Sequence, residues 1–400
     1  MSWTLTAADL PDLARGATLL GTGGGGDPYI GQMLVQQVLG DGGITILDPD
    51  ELPDDMFVIP TAQMGAPTVM VEKIPAGTEP LAALRTLEAH LGRTAEATMP
   101  IECGGVNSMI PLIVAAESGL PVVDADGMGR AFPELSMETF AVYGVQGSPL
   151  ALAGERGEHV IIDTGSDNRQ MESFARAITI RLGGVGHIAE YAMTGADVRR
   201  TAIPRTLSMA LALGRAIRIA REEHRSPFAA LADALSTTLY SHVRELHVGK
   251  VVDVERRTTE GFARGRAVIE AVDGSGEPVV IAFQNENLTA YRGEELLAIV
   301  PDLICIVDHE TAEPITTEGL RYGQRVRVLG ISTPELMRTP EALDTFGPSA
   351  FGLSESFVPV ESLSGAAIAG AAIAGASDAG ASDVGAPDAG AEDGSGTPVR

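Results

Sequence analysis

The chain has 400 residues, 44% of them hydrophobic and 20% charged, so it is long enough for two or three globular domains. Its formal net charge of −26 repels phosphate backbones, and no apolar stretch approaches the ~20 residues of a membrane helix, so neither nucleic-acid binding nor membrane insertion is expected. The two cysteines, Cys103 and Cys305, form no disulfide framework, and we expect a cytoplasmic protein.

The first part of the chain alternates strands and helices. Apolar residues that recur every three or four positions predict helices over 6–20, 29–39, 80–91, 111–118, 168–182 and 203–224. Runs of β-branched residues predict strands over 43–48, 57–65 and 120–129, with another short strand running through Ile101. This alternation is typical of a parallel sheet covered by helices, so we predict an N-terminal α/β domain.

From about residue 245 the sequence consists of short β-branched runs separated by Gly, Asp and Glu-Pro turns, which indicates a β-rich C-terminal domain. After residue 360, glycine recurs every five positions among Ala, Ser and Asp, with too little apolar bulk to form a core. We therefore predict an α/β catalytic domain over 1–244, a β-rich domain over 245–360 and a disordered Gly/Ala tail over 361–400.

The stretch LLGTGGGGDPYIG, residues 19–31, has the spacing of a dinucleotide-binding turn, with Gly21, Gly23 and Gly26 in place and Asp48 about 20 residues further on. That turn requires a preceding strand, whereas a helix is predicted here, and Asp27 would face the phosphates. A nucleotide cofactor is therefore not expected, although a nucleotide loop and a purely structural turn remain alternatives. We favour a substrate loop in which Asp27 is an acid or base and bare backbone contacts the ligand. The predicted ligand-binding glycines are Gly23, Gly24, Gly25 and Gly26.

Two further loops follow predicted strands. The segment IECGGVNS, 101–108, offers the carboxylate of Glu102 and the amide of Asn107 at the edge where ligands bind in parallel sheets, although Asn107 could simply cap the next helix. In VVDADGMGRAFPE, 122–134, the acids Asp124 and Asp126 could divide acid and base roles or hold a metal, while Arg130 could hold a substrate carboxylate. The alternative for these charges is a salt-bridge cluster that shapes the loop.

His187 follows a glycine turn and is a candidate general base or ligand, although a lone histidine is more often structural. Cys103 is a less favoured candidate nucleophile, because no histidine lies near it in the sequence. No zinc signature is present, so the metal content stays open, and a divalent ion held by residues from distant loops is an alternative.

These stretches resemble a known family, the S-methyl thiohydantoin desulfurase domain proteins, long described as a domain of unknown function and associated with hydantoinases and oxoprolinases. The resemblance covers about residues 5–358. It rests on the segments LLGTGGGGDPYIG, MGAPTVMVEK, ECGGVNSMIPL, LPVVDADGMGRAFPELSM, GKVVDVERRTTEGFARG, FQNENLTA, PDLICIVD and FGPSAFG. Cys103 departs from the family pattern, in which an aliphatic residue is usual at this place.

The resemblance implies an α/β part followed by a β-rich part, and hydrolysis of a small cyclic S-methyl thiohydantoin to a hydantoin and methanethiol. Such a reaction needs a carboxylate base for water, an acid for the ring nitrogen or the leaving thiolate, and N–H donors for developing negative charge. The alternatives are a non-catalytic subunit that assists a hydantoinase and, less favoured, a nucleotide-dependent enzyme. A homo-oligomer remains open. The candidate catalytic residues are Asp27, Glu102, Asp124, Asp126 and His187.

Overall fold

The computed structural model of the chain describes residues 1–65, 69, 76–259 and 262–363. The predicted tail over 361–400 lies outside the described residues, apart from its first three positions, and so does most of the segment MGAPTVMVEK. The described part has mixed α/β content, with two large sheets that follow one another along the chain.

The first sheet is mixed, with a parallel centre. Its strand order is β1-β2-β5-β4-β3-β9-β7-β8, and β10 pairs with β3. The pairs β2–β5, β5–β4 and β4–β3 are parallel, as predicted, whereas β1 and the β9-β7-β8 side are antiparallel. A small separate sheet pairs β11 with β6. The strands are β1 (Trp3–Thr6), β2 (Gly43–Leu47), β3 (Phe57–Gly65), β4 (Ala97–Met99), β5 (Val122–Val123), β6 (Ala125–Asp126), β7 (Leu150–Ala153), β8 (His159–Ile162), β9 (Val185–Ala189), β10 (Met193–Thr194) and β11 (Ile203–Pro204).

Helices cover this sheet, and the segments predicted to be helical are helical with small differences at their ends. The first begins later than expected, because residues before Leu10 form β1 and a short 3₁₀ turn that carries a capping box of Thr6 and Asp9. The helices are α1 (Leu10–Leu20), α2 (Tyr29–Leu39), α3 (Glu79–Leu91), α4 (Ile110–Ser118), α5 (Thr139–Val142), α6 (Asn168–Arg181), α7 (Gly195–Thr201), α8 (Thr206–Glu222), α9 (Pro227–Ser236) and α10 (Pro340–Phe346).

The second sheet confirms the β-rich C-terminal half. Seven antiparallel strands lie in the order β16-β15-β14-β13-β12-β18-β17. One apolar core cluster includes residues of both halves, from Leu5 to Phe346, so the two halves pack on each other. The strands are β12 (Val243–Thr259), β13 (Phe262–Glu270), β14 (Val279–Gln284), β15 (Glu286–Arg292), β16 (Glu295–Ile299), β17 (Leu303–Asp308) and β18 (Arg325–Ile331).

Helices α1 and α8 cross at two glycines. A Cβ added to Gly16 would lie 1.8 Å from the carbonyl oxygen of Ala210, and one added to Gly214 would lie 1.8 Å from that of Asp12. The backbones can approach this closely only because both positions lack a side chain. The contact places α1, and with it the glycine loop that follows, against the rest of the domain.

We expect Gly16→Ala to lower the free energy of unfolding by at least about 2 kcal/mol, because the helices must separate or distort. Urea unfolding followed by circular dichroism measures this change. Gly92→Ala is the control: its φ is +65°, but no atom lies within 4 Å of the added Cβ, so only about 1 kcal/mol of backbone strain is expected. Equal losses in the two variants would contradict the close helix crossing.

The glycine loop after α1 is bonded to the β-rich half. The hydroxyl of Thr22 donates to the carbonyl of Ile304 at 3.0 Å and accepts from the Ile304 amide at 2.9 Å. The backbone N–H of Asn287 donates to the carbonyl of Thr22 at 2.8 Å, and the backbone N–H of Thr317 donates to the carbonyl of Gly23 at 2.7 Å. This joint brings the start of β15 to the carboxyl end of the first sheet's central strands.

Candidate active site

A cavity lies where the end of β3, the loop after β4 and the start of β15 meet. Its volume is about 60 Å³ for the centres of water-sized molecules, within about 580 Å³ of empty space that includes open solvent. The glycine loop contributes Gly25 and Gly26 to its wall, and apolar side chains such as Met128 and Phe132 complete it. Ligands commonly bind at the carboxyl ends of parallel strands, so this position in the sheet is suited to a small molecule.

Glu102 lines the cavity, three residues after the end of β4. Its Oε1 accepts a hydrogen bond of 2.8 Å from Nδ2 of Asn107. Asn107 is itself held by β3, because its Oδ1 accepts from the amide of Gln63 at 2.7 Å and its Nδ2 also donates to the Gln63 carbonyl at 3.2 Å. The second oxygen of Glu102, Oε2, is buried and has no hydrogen-bond partner among the described residues. Asn107 therefore fixes one carboxyl oxygen and leaves the other available to a ligand.

Glu286 also lines the cavity, from the first position of β15. The preceding Asn285 has a φ of +58°, which forms the tight turn between β14 and β15. Oε1 of Glu286 accepts from the amide of Gly25 at 3.3 Å, and Oε2 is buried without a partner in the described part of the chain. Gly24 makes room for this side chain, since a Cβ there would lie 2.1 Å from Oε1 of Glu286.

The two carboxyls hold their protons far more strongly than exposed ones do. Burial raises the pKa of Glu286 to about 8, although Arg130 and the Gly25 amide favour its ionised form. Burial raises the pKa of Glu102 well above its ordinary value, the negative charge of Glu286 raises it further, and the bond from Asn107 opposes the shift. Two carboxyls whose proton affinities differ can serve as an acid and a base in one site.

The raised pKa of Glu286 predicts a pH-dependent stability. Below about pH 4 the carboxyl is protonated in both the folded and the unfolded chain, so it has no effect. Between about pH 4.5 and 8 the unfolded chain releases the proton and the folded chain keeps it, so this group lowers the free energy of unfolding by about 1.4 kcal/mol per pH unit. Above about pH 8 the effect levels off.

Glu286→Gln is therefore expected to gain stability relative to the wild type as the pH rises from 5 to 8. Urea unfolding at pH 5, 6, 7 and 8 measures the difference between the two proteins. A difference that stays constant over this range would show that Glu286 is not held protonated by its surroundings.

The predicted ligand-binding glycines contact mostly protein. Gly23 has a φ of +95° and lies against the side chain of Asn287, while Gly24 lies against Glu286. A Cβ on Gly25 would lie 2.5 Å from the carbonyl oxygen of Gly104. Only Gly25 and Gly26 of the four line the cavity. The loop thus serves close packing of backbone on backbone, with two of its glycines exposed to a ligand, and helix α1 precedes it in place of a nucleotide-binding strand.

Asp27, Asp124 and Asp126 are not among the residues that line the cavity. Asp27 is exposed and accepts a bond of 2.9 Å from the amide of Tyr29 at the start of α2. Asp124 is buried and accepts from the amide of Ser208 and the indole of Trp3. Asp126 is fully buried and accepts from the amides of two loop residues, Cys103 and Gly129; burial raises its pKa to about 7. All three carboxyls hold loops or helix starts in place.

The structure places Arg130 in the joint between the two halves of the molecule, not in the wall of the cavity. Its guanidinium is 0% exposed and donates to the backbone carbonyls of Ala131, Asn287 and Asp302 at 3.1 Å each and of Pro301 at 3.5 Å. Its N–H groups are therefore committed to protein carbonyls. Its charge still reaches Glu286 through space, as the effect on that carboxyl's pKa shows.

His187 lies on β9, opposite Gln63 of β3, and does not line the cavity. Burial lowers its pKa to about 4, although nearby Glu79 opposes the shift. The thiol of Cys103 donates to the carbonyl of Thr206 at 3.4 Å, and burial raises its pKa well above the ordinary value. A protonated, enclosed thiol is a poor nucleophile.

Sequence reasoning selected Glu102 and Asn107 but did not select Glu286, Glu134 or Arg176, which also line the cavity. The signal for Glu286 was the distinctive segment FQNENLTA, an acid between two amides at a strand boundary. Arg176 belongs to the described wall of the cavity, whereas Arg130 does not. Arg176 is ion-paired with Glu172, donates to the carbonyl of Pro133 at 2.8 Å and lies 4.6 Å from the ring centre of Phe262.

Two negative findings concern the described residues alone. Among them, no three His, Cys, Asp or Glu side chains converge closely enough to hold a metal ion. No helix in the same part of the chain is long and apolar enough to cross a membrane.

Comparison with known proteins identifies two family models and a solved structure. The S-Me-THD-like N-terminal domain matches residues 8–164, and the S-Me-THD-like C-terminal domain matches residues 166–360. A crystal structure of a protein from Chromobacterium violaceum is 26% identical in sequence, with a TM-score of 0.76, and the match covers 90% of this chain and 100% of that chain. No curated protein matches the chain. The family models divide at residue 165, whereas the second large sheet begins at Val243.

Proposed function

The chain belongs to the S-Me-THD-like family, and on that basis we propose that it hydrolyses S-methyl thiohydantoin-type rings to a hydantoin and methanethiol. The observation that carries the proposal is the pair Glu102 and Glu286, two buried carboxyls in one cavity, each with an oxygen that no described residue bonds. Hydrolysis of the ring carbon that bears sulfur requires an acid and a base on either side of that carbon.

Glu286 is the better base of the two. The charge of Arg130 and the amide of Gly25 both favour its ionised form. Among the described residues, no positive charge is one of the main influences on the pKa of Glu102, and the charge of Glu286 favours its protonated form. In the proposed starting state, which becomes the main one as the pH rises past about 8, Glu286 is ionised, Glu102 carries a proton, and Asn107 holds Glu102 in place.

In the first step Glu286 takes a proton from water as the water oxygen bonds to the ring carbon. Glu102 gives its proton to the adjacent ring nitrogen, which receives the electron pair of the C=N bond. The tetrahedral intermediate then collapses: the C–S bond breaks, Glu286 returns its proton to the departing thiolate, and Glu102 takes the proton of the new hydroxyl. A carbonyl forms, methanethiol leaves, and both carboxyls regain their starting states.

The experiment is to incubate the purified protein with S-methyl thiohydantoins and to measure methanethiol with a thiol reagent and hydantoin by mass spectrometry. In ¹⁸O-labelled water, one labelled oxygen is expected in the hydantoin. Absence of both products across rings with different substituents would refute the proposed activity. Release of thiol without incorporation of the label would refute the direct attack of water.

A further inference from the structure

Acidic residues outnumber basic residues in the described lining of the cavity. Three glutamates line it, Glu102, Glu134 and Glu286, and Arg176 is the single basic residue among its described lining residues. The charge of Arg176 is matched by its ion pair with Glu172. Further acid lies behind the wall, since the carboxyl of Glu138 is 0% exposed and interacts electrostatically with Glu102.

Among the described residues, the compensating positive charge is that of Arg130, which acts on Glu286. Arg130 acts on Glu286 from behind the cavity, with its N–H groups directed to backbone carbonyls. Oε2 of Glu102 and Oε2 of Glu286 thus have no donor in the described part of the chain. Ionising both carboxyls in the empty cavity is costly, because a buried charge without a partner is strongly disfavoured. A cation that donates hydrogen bonds to both oxygens would offset that cost.

We infer that the cavity binds planar cations with an N–C–N head, such as cyclic guanidinium and amidinium rings, more tightly than uncharged rings of the same shape. The inference rests on the site assigned above and names its preferred ligand class. Such a head carries N–H donors on both sides of one carbon, so it can bond one carboxylate through each nitrogen. Hydrogen bonds between charged partners are about twice as strong as those between neutral groups. The apolar wall at Met128 and Phe132 suits the flat body of a small ring.

The preference extends to the reacting ring. An S-methylated ring that is protonated on nitrogen is an amidinium, with the leaving group on its central carbon. Its proton is the one that Glu102 gives up in the proposed first step, so both carboxyls are then ionised and bind this cation with the reacting carbon between them. Rings with an anionic substituent are disfavoured, because Glu134 lies in the cavity wall and Arg176 is already paired.

The test is isothermal titration calorimetry of the full chain at pH 8 with two rings that carry no methylthio group, so binding is measured without turnover. One is 2-amino-2-imidazoline, a guanidinium ring, and the other is imidazolidin-2-one, its uncharged counterpart. We expect the cation to bind at least about tenfold more tightly than the urea ring. Equal affinity, or tighter binding of the urea ring, would overturn the inference.

Glu286→Gln and Glu102→Gln should each lower the affinity for the cation by about tenfold or more and change that for the urea ring far less. Glu88→Gln is the matched control: Glu88 is buried and accepts from the amide of Ala95, but it does not line the cavity, so binding should be unchanged. Retention of full cation affinity in both cavity variants would overturn the inference. Failure of the methanethiol assay would count against the proposed reaction alone, because these ligands need no turnover to bind.

Discussion

Glu102→Gln is expected to lower kcat for S-methyl thiohydantoin hydrolysis by about 10²–10⁴-fold, with little change in KM. The amide has nearly the shape of the carboxyl, and its oxygen can still accept the bond from Asn107. It cannot give up a proton to the ring nitrogen or take one from the tetrahedral hydroxyl. The loss should therefore appear in the chemical step, measured as steady-state release of methanethiol.

Unfolding cannot account for such a loss. Burial raises the pKa of Glu102 well above its ordinary value, so this carboxyl lowers the free energy of unfolding of the wild type as the pH rises. Glutamine does not ionise, so the variant should be at least as stable as the wild type at pH 8. Glu88→Gln, which changes a buried carboxyl outside the cavity, is expected to keep wild-type kcat. A Glu102→Gln protein with wild-type kcat would remove Glu102 from the mechanism.

Arg130→Met is expected to lower the free energy of unfolding by about 3–5 kcal/mol. Methionine fills much of the space but donates no hydrogen bond. Four backbone carbonyls would lose their guanidinium donor: those of Ala131, Asn287, Pro301 and Asp302. Three of them belong to the β-rich half, so the change weakens the joint that brings Glu286 to the cavity. Urea unfolding measures the loss.

The control is Arg244→Met. Arg244 is also buried, but among the described residues its guanidinium donates to a single carbonyl, that of Leu363, at 3.0 Å. Its loss should cost only about 1 kcal/mol. Equal destabilisation of the two variants would indicate that a buried arginine matters here for its volume and not for the carbonyls that it joins. The Arg130 variant should also hold the proton of Glu286 more tightly, because the positive charge that favours the ionised carboxylate is removed, so a smaller fraction of Glu286 is ionised at a given pH.

Much of the local structure was predictable. The helices α2, α3 and α4 begin and end within one residue of their predicted bounds, and β2 and β3 lie where runs of β-branched residues indicated. The spacing of apolar residues predicts single helices and strands because each of them buries one face, and the residues of that face recur at fixed short intervals along the chain. The antiparallel strands β7 and β9 were not predicted. Both are short runs of small and apolar residues, and their sequences alone do not distinguish them from loops. They become strands through pairing with distant segments.

Only part of the candidate site could be predicted from the sequence. Glu102 and Asn107 were selected because a carboxylate and an amide follow a strand in a glycine-containing loop, and both line the cavity. Asp27 and Asp126 occur in equally suggestive loops, yet one is exposed and the other bonds two loop amides. Local sequence shows which loops carry acids, but it does not show whether an acid faces a ligand or a backbone amide.

The sequence by itself determined the two-part architecture, most helices, the glycine loop and the family, because each depends on neighbouring residues or on motifs of a few positions. Only the tertiary structure placed Glu286 beside Glu102 and directed Arg130 into the joint between the halves. Those contacts join positions far apart in the chain. They follow from the burial of many residues at once, where a charged side chain is stable only with partners that distant segments supply.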